Sequence, residues 1–124
     1  MPIRFLVQPR DRIVRVTYMG NVTLRDLAAH VRRLVDAGLL HRPRLVDSRA
    51  ATITASPEDI RIFSSLMSTL HARYGRAPVA FVPGDQSWLD VADVFRDLGA
   101  GANPDFAILP DIQAAETWLG AEAS

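Results

Sequence analysis

The stretch RLVDSRAATITASPEDIRIFSSLMSTLHARYGRAPVAFVPG, residues 44–84, reads as strand, helix, strand, and that reading decides the fold. Arg44 to Asp47 forms a short strand. After a polar connection, Ser56-Pro57-Glu58-Asp59 supplies an N-cap, a proline at the first helical position and two acids in the first turn. The helix so begun runs to about Tyr74, with Gly75 as its C-terminal cap. Ile60, Phe63, Met67, Leu70 and Tyr74 make its main apolar stripe, and Ile62 and Leu66 widen the stripe on one side. Pro78 to Val82, short, apolar and bounded by Pro83-Gly84, reads as a central strand.

Outward from this unit the same alternation continues. Ile3 to Val7 and Ile13 to Met19 alternate on either side of Gln8-Pro9-Arg10-Asp11, which predicts a β-hairpin with Val14, Val16 and Tyr18 on one face and its end at Gly20-Asn21. Thr23 then caps a helix whose stripe, Leu24, Leu27, Ala28, Val31, Leu34 and Val35, stops at Gly38. A third helix starts near Ser87 and carries Trp88, Val91, Ala92, Phe95 and Leu98 until Gly99-Ala100-Gly101. Phe106 to Leu109 is a last strand, and Asp111 caps a last helix through Leu119. The expectation is one α/β domain over residues 1–124, with a mixed, mostly parallel five-stranded sheet, an N-terminal β-hairpin and about four helices.

Composition excludes more than it selects. All 14 basic residues are arginines and 14 acids balance them, so the formal net charge is zero and no long-range field draws the chain to nucleic acid or an anionic membrane. Without Cys there are no disulfides, thiolate metal sites or thiol nucleophiles; without Lys there is no P-loop and no Schiff base. No stretch reaches the length of a spanning segment, and Met1-Pro2-Ile3-Arg4-Phe5 lacks the layout of a signal peptide, so a cytoplasmic location is expected.

The remaining constellations are few. His30, His41 and His71 lack the spacing that places two imidazoles on one helical face, so no metal or other cofactor is expected; His30 and His71 are read as partly buried, hydrogen-bonded rings. Asp47-Ser48-Arg49 lies at the carboxyl end of a strand, where open α/β sheets bind ligands, but no base accompanies Ser48 and no enzyme is expected. Arg4, Arg10, Arg12 and Arg15 in the hairpin, and Arg42, Arg44 and Arg49 around the next strand, lack the interleaved aromatics that nucleic-acid binding uses. Leu6, Ile13 and Met19 stand among Arg4, Arg15 and Thr17 on the other hairpin face, a mixed surface suited to a homodimer. Gly99-Ala100-Gly101 follows a helix and is no dinucleotide fingerprint.

In order and spacing, the hairpin leading into Gly20-Asn21-Val22-Thr23, the strand Leu45-Val46-Asp47-Ser48-Arg49, the run Arg76 to Val82 and the closing Ala115-Glu116-Thr117-Trp118-Leu119 resemble the SpoIIAA-like proteins, STAS-related and SEC14-related, over nearly the whole chain. The resemblance implies a non-enzymatic protein that binds a small apolar ligand or lipid, with peripheral membrane association. Asp47, Ser48, Arg49, Ile62, Leu66, Met67 and Trp88 are then the candidate ligand-binding residues. Its alternative is a STAS-type regulatory module that binds a protein partner, as anti-sigma-factor antagonists do. In those regulators an aspartate ends the third strand and a phosphorylatable serine follows nine positions on, the relation of Asp47 to Ser56. The regulators continue with a small residue and Gly, whereas this chain has Ser56-Pro57-Glu58-Asp59, the sequence of a plain N-cap.

Overall fold

The computed structural model describes residues 2–8, 10, 12–99 and 106–123. Its elements are β1 (Ile3–Val7), β2 (Val14–Thr23), α1 (Leu24–Asp36), β3 (Arg44–Thr54), α2 (Pro57–Tyr74), β4 (Val79–Val82), α3 (Gln86–Gly99), β5 (Phe106–Ile108) and α4 (Ile112–Ala123). The five strands form one sheet in sequence order, antiparallel between β1 and β2 and parallel thereafter. The mixed sheet with its opening hairpin is the one predicted from the alternation of strands and helices.

Helix starts follow local chemistry. The Thr23 hydroxyl accepts from the Asp26 amide while the Asp26 carboxylate accepts from the Thr23 amide, and Ser56 and Asp59 repeat this reciprocal box ahead of α2. At α4 the Asp111 carboxylate accepts from the Ala114 amide at 2.8 Å.

Strand lengths depart from expectation. β2 does not end at Gly20-Asn21, and β3 runs well past Asp47. The register steps from Thr17↔Asp47 to Met19↔Ala50, so β3 carries an extra residue across Ser48-Arg49, a β-bulge. Beyond it β2 and β3 continue as a two-stranded ribbon to Thr23↔Thr54, where the Thr54 hydroxyl donates to Asn21 Oδ1 at 2.6 Å and Gly20 takes a φ of 69°. Pairing with a neighbour outweighs the poor strand propensity of Gly and Asn. β4 meanwhile leaves β3 at Asp47↔Val82, so the sheet forks at that point.

Because β2 to β5 advance in one direction, right-handed crossovers place α1, α2 and α3 on one face. There Val14, Val16, Tyr18, Val46, Val79 and Phe81 pack against Leu27, Val31 and Leu34 of α1, Met67 of α2 and Trp88 of α3. Among the described residues α4 covers the opposite face, with Ala115 and Leu119 on Leu45, Ala80 and Val82. Ile13, expected on the mixed outer surface, joins this second cluster, while Leu6 and Met19 stay half exposed. The stripe of α2 is narrower than its sequence suggests: Ile62 and Tyr74 reach solvent, and the Tyr74 ring lies under the Arg73 guanidinium. Of the stripe expected on α3, Ala92, Phe95 and Leu98 lie outside the residues whose side chains are described, and Ala100-Gly101 lies outside the described chain.

Gly84 sits where the fork is tightest. A Cβ at this position would lie 2.5 Å from the Ser48 carbonyl oxygen and 3.2 Å from Arg49 Cα, both backbone atoms of the bulge. Gly84→Ala is therefore expected to lower the unfolding free energy by about 1–3 kcal/mol, the range for forced overpacking. Urea midpoints at unchanged m-value check it; a loss below about 0.5 kcal/mol, the scatter of ordinary surface substitutions, would mean that β3 backs away freely.

Candidate functional site

At the fork, three neighbouring side chains divide their tasks. Ser48 is fully buried, and its hydroxyl donates to the Val82 carbonyl at 2.8 Å, bridging the two strands just past their last pair. Asp47 accepts twice from the Arg49 side chain, at 2.9 and 3.0 Å, and once from the Arg49 amide at 3.1 Å. These hydrogen bonds from Arg49 hold the Asp47 carboxyl below the usual carboxylate range. The hydroxyl of Ser48 is thus committed to a backbone oxygen.

The ribbon ends at Ser56, which is exposed and caps α2. Its hydroxyl oxygen accepts the Asp59 amide at 3.1 Å, so the side chain points at the positive end of the helix while Glu58 and Asp59 stand beside it. Among the described residues no hydrogen bond joins Asp47 to Ser56; each is bonded within its own turn.

Between the sheet and helices α1 to α3 lies a cavity of about 110 Å³. Its wall is mostly apolar, with Val31, Val46, Met67, Phe81, Val91 and Phe106 among its residues. Four polar side chains also line it: Tyr18, His30, Arg44 and His71. All four are buried. Burial moves the Tyr18 phenol up, lowers His30 to about 4 with the help of Arg44 and Arg33, and brings the Arg44 guanidinium down to about 10. Trp88 closes one end, its ring 5.4 Å from both Tyr18 and Phe81 and its indole N–H donating to the Ala51 carbonyl at 2.8 Å. That bond ties α3 to the ribbon.

The structure therefore divides the candidate residues read from sequence. Met67 and Trp88 line the cavity, Leu66 is half-buried and outside its wall, and Ile62 is half exposed. Asp47 and Arg49 form a surface pair at the fork and Ser48 a strut within it. Trp88, at 2% exposure, has no free face to offer a membrane. His30 has a buried Nδ1 with no hydrogen-bond partner among the described residues, contrary to the bonded ring expected. Tyr18, His30 and Arg44 were not singled out as site residues, yet the sequence carries a signal for each. Arg44 and Tyr18 fall in phase with the apolar alternation of their strands, and His30 lies three positions after Leu27 on the buried stripe of α1. Among the described residues no group of His, Asp and Glu is placed to hold a metal ion, and no helix is long and apolar enough to cross a membrane.

No protein-family model matches the sequence, and no curated protein matches it either. Among solved structures, the crystal structure of an anti-sigma factor antagonist from Mycobacterium paratuberculosis is similar at a TM-score of 0.59 and 14% identity, covering 95% of this chain and 94% of that one. A likeness that spans both chains end to end, with the five-stranded sheet, hairpin and four helices described above, assigns this chain the SpoIIAA-like, STAS-type fold.

Proposed function

We propose that this chain is a non-enzymatic, cytoplasmic regulatory module of the STAS type that binds a protein partner, with Ser56 as its switch. The observation that carries the reading is the likeness, over 95% of the chain, to a protein described as an anti-sigma factor antagonist. The surroundings of Ser56 support it: an exposed hydroxyl at a helix N-terminus, two residues past the last pair of the ribbon. A phosphoryl group there would gain the helix dipole and meet the carboxylates of Glu58 and Asp59, so modification adds to negative charge already present and strengthens the repulsion of an acidic partner surface.

The test compares the wild type with Ser56→Asp and Ser56→Ala in retaining a partner from native lysate, each variant first shown to be folded. Both substitutions leave the fold in place: Asp remains a good N-cap, and Ala costs about 0.5–2 kcal/mol of stability. Ser56→Asp is expected to lower retention about tenfold and Ser56→Ala to preserve it. Equal retention by all three would remove Ser56 from the function.

A second reading has its own observation. The cavity beneath the helices, with Met67 and Trp88 in its wall, has a lining suited to a small, largely apolar ligand.

A further inference from the structure

The polar groups of the cavity are unevenly provided for. Arg44 is 5% exposed, and its Nη1 donates to the Leu40 carbonyl at 2.6 Å, yet no carboxylate pairs with it among the described residues. A guanidinium taken out of water without a counter-ion is costly, and burial without compensation is what lowers it to about 10, still far above neutral pH. His30, at 3% exposure, lines the same cavity and leaves Nδ1 without a partner among the described residues. A full positive charge and an unfilled polar atom thus border a space whose other walls, apart from the Tyr18 phenol and His71, are hydrocarbon and aromatic.

We propose that the cavity binds a small aliphatic carboxylate, its carboxylate on the Arg44 guanidinium and the Nδ1 of His30, its hydrocarbon chain among Val31, Met67, Phe81 and Trp88. This rests on the ligand reading of the cavity and adds the charge of the ligand. A planar guanidinium fork matches a carboxylate in two parallel hydrogen bonds, whereas a phosphate would bring more charge than one arginine balances. Size sets the other limit. A dry cavity of roughly 150 Å³ accommodates the six carbons of benzene, so about 110 Å³ suits a smaller molecule, a chain of about three carbons with the carboxylate's own included. The lining supplies the apolar partners and Met67 the adaptability of an unbranched side chain.

Propanoate and 1-propanol, equal in chain length and different in charge, are the probes. Each is titrated into the full chain at pH 7 and followed through the methyl signals of Val31 and Met67. Propanoate is expected to bind at least about tenfold more tightly than 1-propanol, and Arg44→Met to bring the two within about twofold of each other. If the wild type binds both equally, the carboxylate is overturned while an apolar ligand stands. If neither probe moves the cavity signals at tens of millimolar, the ligand reading falls along with it. Should Arg44→Met not fold, the wild-type ratio decides alone, and Met67→Trp, which fills the cavity from the α2 side, is expected to abolish both titrations.

Discussion

Replacing Trp88 with Ala is expected to lower the unfolding free energy by about 3–5 kcal/mol, the usual cost of emptying a buried aromatic site. Three losses combine. The ring is removed from its contacts with Tyr18 and Phe81, the void joins a cavity already present beside it, and the Ala51 carbonyl loses the indole N–H that satisfied it. Trp88→Phe keeps most of the packing and loses the hydrogen bond, so its cost is expected to be nearer 1–2 kcal/mol. Urea denaturation of the two variants separates packing from hydrogen bonding. An Ala variant as stable as the Phe variant would show that the α3 end of the cavity closes over by itself.

Acid is expected to destabilise the protein through His30. In the folded chain burial, reinforced by the positive charges of Arg44 and Arg33, lowers its pKa to about 4; in the unfolded chain it titrates at its ordinary 6.5. Between these values the unfolded state binds a proton that the folded state refuses, so stability falls as the pH is lowered from about 6.5 to about 4. The shift corresponds to about 3 kcal/mol at most. In His30→Phe, which leaves no buried nitrogen unpartnered and keeps a ring beside Phe5 and Tyr18, that part of the pH dependence is expected to vanish. Urea midpoints at pH 7, 5.5 and 4 measure it. An unchanged slope in the variant would place the acid sensitivity on groups other than His30.

What was legible in the sequence is what local chemistry determines. Thr23 with Asp26, and Ser56 with Pro57 and Asp59, announce helix starts because each cap closes within one turn. The five strands and their mostly parallel arrangement follow from the alternation of short apolar runs with helical stripes. The ribbon did not, because the bulge at Ser48-Arg49 exists only through the pairing of β3 with a strand some thirty residues away. The candidate site was half legible for the same reason. Met67 and Trp88 announce themselves as adaptable or large apolar residues at helix positions, while Arg44 belongs to the cavity only because its strand turns it inward beside Val46. A charge in phase with an apolar alternation is the pattern to look for, and here it occurs at the first residue of β3.

The division of the sheet between three helices on one face and one on the other also sets a chronology. A chain emerging from the ribosome holds every buried member of the first cluster, Ile3 to Trp88, once residue 88 is out. The second cluster waits for Ala115 and Leu119. During that interval Leu45 is paired on both sides, Ala80 still awaits Ala107 of β5, and the side chains of Leu45, Ala80 and Val82 lack the cover of α4. At roughly 5–20 residues per second, the thirty or so residues still to come take a few seconds. The protein thus passes through a half-clad stage at every synthesis, in which its bare sheet face is the surface a chaperone would meet.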